Sequence, residues 1–277
     1  MTDSIAATLR EAAAVLAGDS ARLDAELLLA HVLEKDRTWL FTWADKTLSE
    51  SQRRDYAALL AERQQGVPVA YLIGEQEFWS LPLKVTPATL IPRPETEQLV
   101  DFVLQQHDHH QPLQLLDAGT GSGAIAIALA HECPCWSVSA CDYSEQALQV
   151  AQQNASRHRL AIRFFQNDWL AGLEAASLDV IVANPPYIRA GDEHLPALRY
   201  EPYTALVAAD DGLADIKTLA RQAQQVLRPG GALYIEHGYD QGQAVQAIFR
   251  ANGFVEVSCE QDYAGNDRFT HGVKAHE

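Results

Sequence analysis

Asn184-Pro185-Pro186-Tyr187 follows the apolar run Leu178-Asp179-Val180-Ile181-Val182-Ala183 and sets a side-chain amide, two rigid prolines and an aromatic ring at a strand's end. These are the parts of a pocket for a planar nitrogen. The Asn184 oxygen can accept one N–H of an incoming amino or amide group, and the Pro185 carbonyl, on a backbone stiffened by two fixed φ angles, can accept the other. Pro186 stiffens the same stretch, and Tyr187 offers a flat face for stacking. Alone, the tetrad reads more readily as a turn that closes a strand.

An upstream motif reverses that preference. Leu115-Leu116-Asp117-Ala118-Gly119-Thr120-Gly121-Ser122-Gly123, followed by Ala124-Ile125-Ala126-Ile127-Ala128-Leu129-Ala130, reads as a buried strand, a glycine turn and an apolar helix. The glycines let backbone approach a ligand, and the helix that follows opens with free N–H groups and partial positive charge. Asp142 closes a second strand, Val138 to Asp142, where a carboxylate commonly grips the two hydroxyls of a ribose. Gly119-x-Gly121-x-x-Ala124 also satisfies a relaxed dinucleotide fingerprint, so a nicotinamide oxidoreductase is one reading; such an enzyme has no use for Asn-Pro-Pro-Tyr.

The elements that must position these residues alternate. From Leu113 onward the pattern predicts strands at 113–117, 137–142, 162–166, 178–183, 231–236, 254–259 and 268–273. Helices are predicted at 123–132, 144–158, 215–227 and 242–251. Alternation of this kind requires crossovers and implies a mainly parallel, doubly covered sheet, with the closing pair of strands a hairpin that adds one antiparallel strand. The first seventy residues read as a small helical bundle. Stripes at Ile5, Leu9, Val15 and Leu16 and at Leu23, Leu27, Ala30, Val32 and Leu33 form its core; Trp39 and Trp43 are packing residues. Ser49 and Gln52 form a capping box, and Gly66 a helix stop. Glu77 to Val85 reads as a hairpin around a proline turn, and Ile91-Pro92-Arg93-Pro94 as a stiff loop leading into a helix.

Composition narrows the partners. The 277-residue chain carries 21 Lys and Arg against 37 Asp and Glu, a net charge of −16. Residues 1–75 hold eight basic and twelve acidic side chains, leaving thirteen and twenty-five for the rest, so neither part is a basic module. A surface this acidic does not attract a phosphate backbone, and nucleic acid is not expected as the direct substrate. Cys133-Pro134-Cys135 lacks the second pair a zinc site needs, and His107, His109 and His110 read as a solvated linker, so no metal is expected. Met1-Thr2-Asp3-Ser4 has no signal-peptide character and no apolar run reaches eighteen residues, which predicts a cytoplasmic protein with no membrane partner.

Five segments in one order carry a resemblance over nearly the whole chain: Phe78-Trp79-Ser80, Ile91 to Glu97, Asp117 to Gly123, Asn184 to Tyr187, and Tyr200-Glu201-Pro202-Tyr203-Thr204-Ala205-Leu206. The chain resembles the protein-(glutamine-N5) methyltransferases that modify peptide chain release factors. The resemblance implies an α/β fold, a seven-stranded, mainly parallel Rossmann-like methyltransferase sheet, spanning 91–277. It is preceded by an all-helical domain at 1–73 that docks release factors and by a β-hairpin linker at 74–90. It implies S-adenosyl-L-methionine as cofactor, held over Asp117, Ala118, Gly119, Thr120, Gly121 and Asp142, with Asp168 and Trp169 beside the adenine and Asn184 at the methyl group. Asn184, Pro185 and Tyr187 are the implied catalytic residues, which with Pro186 bind substrate. The implied substrate is the glutamine of the Gly-Gly-Gln loop in peptide chain release factors 1 and 2. Because the pocket suits any planar nitrogen, an N6-adenine type nucleic-acid methyltransferase is the alternative, and net charge disfavours it.

Overall fold

The structure is a computed structural model that describes residues 4–16 and 18–276; Met1-Thr2-Asp3, read above for targeting signals, lies outside the described residues. It divides into two compact units, one ending at Glu75 and the other beginning at Gln76.

The first unit is helical: α1 (Ile5–Val15), α2 (Ala21–Leu33), α3 (Arg37–Thr42), α4 (Glu50–Gln64) and α5 (Val69–Ile73). The Ser49–Gln52 capping box opens α4, and Gly66, at φ +96°, follows its last turn. The buried stripe of α2 differs from the expected one. Ala25, Leu28 and Leu29 are fully buried while Leu23 is exposed, because the helix also turns Asp24 and Glu26 inward, where arginines meet them. Val15 is likewise exposed. Trp43 is not a core residue: it is 46% exposed, as Phe41 is at 55%, and the Lys46 ammonium sits 4.3 Å from its ring centre.

The second unit opens within the hairpin of β1 (Glu75–Phe78) and β2 (Leu81–Lys84), all of which but Glu75 belongs to it. Its turn falls at Trp79-Ser80, both in the left-handed region, and the proline expected to make the turn, Pro82, lies inside β2. Phe78 and Leu83 are buried in the same cluster as the sheet's helices, so the hairpin is packed as part of this unit. Next come α6 (Pro94–Gln106), β3 (Gln114–Ala118), α7 (Ala124–Glu132), β4 (Ser137–Asp142), α8 (Glu145–Arg157), β5 (Arg163–Gln166) and β6 (Leu178–Ala183). The unit closes with α9 (Ala214–Val226), β7 (Leu227–Glu236), α10 (Gly242–Ala251), β8 (Phe254–Gln261) and β9 (Asp267–Lys274). Between α6 and β3, His107 departs from the solvated linker expected of it. Its ring bonds the Tyr234 hydroxyl at 2.9 Å, and burial lowers its pKa.

The seven strands run in the order β5-β4-β3-β6-β7-β9-β8, parallel except at β9, which pairs antiparallel with both β7 and β8. Strands covered on both faces read as unbroken apolar runs, and Leu115, Val180, Ile181, Val182 and Ala183 are fully buried. Each such aliphatic side chain contributes roughly 1.5–3 kcal/mol on burial. One cluster forms beneath α6 and α7 and another beneath α9 and α10. Strand order reverses direction between β3 and β6, the position at which open α/β sheets bind ligands beyond their carboxyl ends.

Candidate active site

Register alone brings the chemistry together. Ala118 pairs with Cys141 on one side and Ala183 on the other, and Ala183 pairs with Ile235. The next residue on each strand, Gly119, Asp142, Asn184 and Glu236, therefore stands in a single row along the carboxyl edge. A cavity of about 490 Å³ opens over this edge, a size suited to a nucleoside-scale ligand together with a side chain. Gly119, Thr120, Gly121, Asp142, Asp168, Trp169, Asn184 and Pro186 line it.

Asp142 is oriented by backbone. One carboxylate oxygen accepts from the Gly121 N–H at 2.9 Å and the other from the Ser144 N–H at 2.8 Å. Burial raises its pKa, against those hydrogen bonds. Asp117 plays a different part from the one expected. It is fully buried and absent from the cavity wall; one oxygen takes the Thr120 hydroxyl at 2.6 Å and the Ala126 N–H at 3.1 Å, tying the glycine loop to α7 from below. Its other oxygen is buried without a partner, and burial pushes the pKa up to about 7. Ala118 is buried in β3 and acts through backbone pairing only.

Trp169, at φ +50°, turns its ring against the loop, so that a methyl group added at Gly119 would meet the ring at 2.8 Å. Its indole N–H donates to Asp215 at 3.2 Å, which places Asp215 in the cavity wall, a residue the sequence did not single out. The flat ring, the close glycine backbone and the strand-end carboxylate fit a purine nucleoside: a stacking face, room for the ligand's backbone contacts, and an acceptor for hydroxyls.

At the tetrad, the Asn184 Nδ2 donates to Thr96 Oγ1 at 3.3 Å. Thr96 donates to Glu236 at 2.7 Å, and the Tyr187 hydroxyl donates to the other Glu236 oxygen at 3.3 Å. Pro185 is buried behind the wall. Tyr187 is not the stacking face expected: its ring packs into the apolar cluster under α9 and α10, and its hydroxyl pKa is raised, chiefly by burial. Its carbonyl is fixed by the Gln241 amide at 3.0 Å, with Gly212 so close that a Cβ there would lie 2.1 Å from that oxygen. Opposite, Arg93 pairs with Glu201 at 2.5 Å while Glu201 also accepts from the Ile91 N–H at 3.0 Å, joining the proline-rich loop to the segment around Tyr200 to Leu206. Neither Thr96 nor Glu236 was singled out for the site by sequence reasoning.

Two solved structures share this architecture. A methyltransferase from Pyrococcus furiosus superposes with a TM-score of 0.57 at 18% identity, over 78% of this chain and 100% of that one. A 16S rRNA methyltransferase of T. thermophilus, solved with AdoMet and guanosine, gives 0.54 at 18%, over 72% and 49%. The second unit is a methyltransferase fold of the seven-stranded α/β class.

The family described as the PrmC N-terminal domain matches residues 7–74, and the methyltransferase small domain matches 96–200. The release factor glutamine methyltransferase of Vibrio cholerae is 48% identical over 98% of this chain and 97% of its own length. That of Escherichia coli is 46% identical over 95% and 96%. The chain belongs to the release factor glutamine methyltransferases.

Proposed function

We propose that the row at the carboxyl edge carries out methyl transfer with Asn184 and the Pro185 carbonyl as the substrate-orienting pair. As a member of its family the protein is an S-adenosylmethionine-dependent enzyme that methylates the glutamine side chain of release factors. Its substrates on this reading are peptide chain release factors 1 and 2, at the glutamine of their Gly-Gly-Gln loop, with residues 1–73 as the docking domain, 74–90 as the connecting hairpin and 91–277 as the catalytic part. The observation that carries the reading is the placement of Asn184 one residue beyond Ala183, in line with Gly119 and Asp142.

S-adenosylmethionine supplies, when bound, an electrophilic methyl carbon on a positively charged sulfur. Gly119, Gly121, Asp142, Asp168 and Trp169, which line the cavity, would hold it. A glutamine amide nitrogen is a weak nucleophile because its lone pair is delocalised into the carbonyl. Asn184 and Pro185 each accept one of its N–H bonds, which turns the nitrogen and raises its electron density. Holding two reactants in line removes up to about 7–11 kcal/mol from a barrier. The nitrogen would bond the methyl carbon as the carbon–sulfur bond breaks, its electron pair staying on the sulfur as a neutral thioether, and would then give a proton to water, which an N-alkylated, N-protonated amide does without a strong base.

Asn184→Ala tests this. Turnover is expected to fall about 100-fold or more with cofactor affinity nearly unchanged, since the lost group orients the substrate nitrogen. Single-turnover rates close to wild type would reduce the tetrad to a structural turn.

A further inference from the structure

We infer that Glu236 and Thr96 set which end of the Asn184 amide faces the substrate, which makes both of them positioning residues for the transfer; the inference rests on the orienting role proposed for Asn184. The argument is one of donors and acceptors. A threonine hydroxyl carries one proton, and that of Thr96 goes to Glu236, 2.7 Å away. Its oxygen can then only accept from Asn184. The end of the amide 3.3 Å from it must be the N–H end. The carbonyl end is thereby turned the other way, and Asn184 lines the cavity. An amide has two orientations of nearly equal shape, so without an acceptor at Thr96 nothing in its shape favours the productive one.

The direction of the whole chain depends on the charge of Glu236. As a carboxylate it accepts from both hydroxyls, Thr96 and Tyr187. Once protonated, it can donate to Thr96, whose own proton is then free to meet the Asn184 oxygen. The amide turns over, and its N–H bonds face the N–H bonds of the substrate. Two donors opposed cannot orient a glutamine amide.

The groups facing Glu236 favour such a change near neutrality. Thr96 and Glu95 come from α6, Tyr187 from the tetrad, and Arg268 from β9. Burial is the largest influence and raises the pKa. The Thr96 hydrogen bond, the charge of Arg268 and the Tyr187 hydrogen bond oppose it and Glu95 adds to it, leaving Glu236 at about 7. Activity is therefore expected to be high above that pH and to fall as pH drops through it.

The test uses the full-length enzyme and a release factor substrate, with kcat measured across pH for wild type, Glu236→Gln, Thr96→Val, Thr96→Ser and Asn184→Ala. Thr96→Val is expected to lower kcat about tenfold, the weight of one oriented hydrogen bond, with the Michaelis constant for cofactor unchanged, and Thr96→Ser is expected to restore it. Glu236→Gln is expected to abolish the acid limb of the profile. In the ligand-free enzyme, the carbon NMR signal of the Glu236 carboxyl and the side-chain amide signal of Asn184 are expected to titrate with one shared midpoint. An acid limb that survives Glu236→Gln, or Thr96→Val turning over like wild type, overturns the inference. So does an Asn184 signal that ignores the Glu236 titration, which decides the matter even if Glu236→Gln fails to fold. Full activity in Asn184→Ala would instead sink the underlying reading; loss there with intact Thr96→Val removes only the relay.

Discussion

The helical unit and the site at the sheet's carboxyl edge bury carboxylates in opposite ways. In the helical unit Glu26 is buried between Arg22 at 2.5 Å and Arg37 at 2.7 Å, and Asp24 meets Arg63 at 2.8 Å. Burial would raise the Glu26 pKa, yet the hydrogen bonds and charges of Arg37 and Arg22 outweigh it and hold Glu26 below its ordinary value. In the catalytic unit, Asp117 and Glu236 are fully buried against hydroxyls and a backbone N–H, and both are pushed up to about 7. A paired carboxylate is a structural tie that keeps its charge. A carboxylate whose hydrogen-bond donors are neutral stays near its titration point at a cost in stability, and such groups cluster where chemistry or binding occurs.

Asp117→Asn is the strongest way to break the contrast. The folded pKa lies above the ordinary 3.8, so this group's contribution is intact below 3.8 and is lost as pH rises through about 7. Replacing it with a neutral amide is expected to leave stability unchanged near pH 4 and to raise it at pH 8 by up to about 4 kcal/mol, from roughly three pKa units at 1.36 kcal/mol each. Melting curves at the two pH values check this; equal shifts at both would remove the titration from the account. At the cavity wall, Asp142→Ala is expected to weaken cofactor binding by roughly 1.5–3 kcal/mol, the value of charge-assisted hydrogen bonds, as calorimetry would read it.

Glu26→Gln probes the paired side of the comparison. Breaking a buried pair costs several kcal/mol, but both arginines are nearly half exposed and water screens them, so about 1–2 kcal/mol is expected. Chemical denaturation should show that loss, while turnover of a short Gly-Gly-Gln peptide stays at the wild-type level. The smallest effect concerns docking: with Phe41 and Trp43 exposed on the helical unit, the double change Phe41→Ser, Trp43→Ser is expected to raise the Michaelis constant for an intact release factor about fivefold, near 1 kcal/mol, and to leave the short peptide unaffected. Equal effects on factor and peptide would rule those two rings out as a docking surface.

The alternation of strands and helices, the covered sheet and the loop-bearing strand ends could be read from the sequence because periodicity and glycine placement are local properties; the spatial order of the strands could not. Nor could Glu236. It closes an apolar run as any strand-end residue does, and its meaning arises from the Ala183–Ile235 register and from Thr96, 140 residues away in sequence. The stripe of α2 was misplaced for a related reason. A pattern that counts only apolar side chains overlooks Asp24 and Glu26, whose inward direction is set by arginines on other turns and other helices. Tyr187 was assigned a stacking face on residue type alone, whereas the Gln241 and Gly212 contacts that fix its backbone come from much later in the chain.

The insertion of β9 between β7 and β8 has a consequence for how the site is completed. Glu236 sits opposite Phe269, and Arg268, whose charge moderates its pKa, belongs to the same late strand. The strand that pairs β8 into the sheet is β9, so β8 takes its place only once residues 267–274 lie against β7. Without β9, Phe269 and Arg268 are missing from beside Glu236, so part of the burial that raises its pKa and the charge that moderates it are both absent. The relay that orients Asn184 is thus complete only when β9 lies against β7, which makes the docking of that one strand the step that finishes the site.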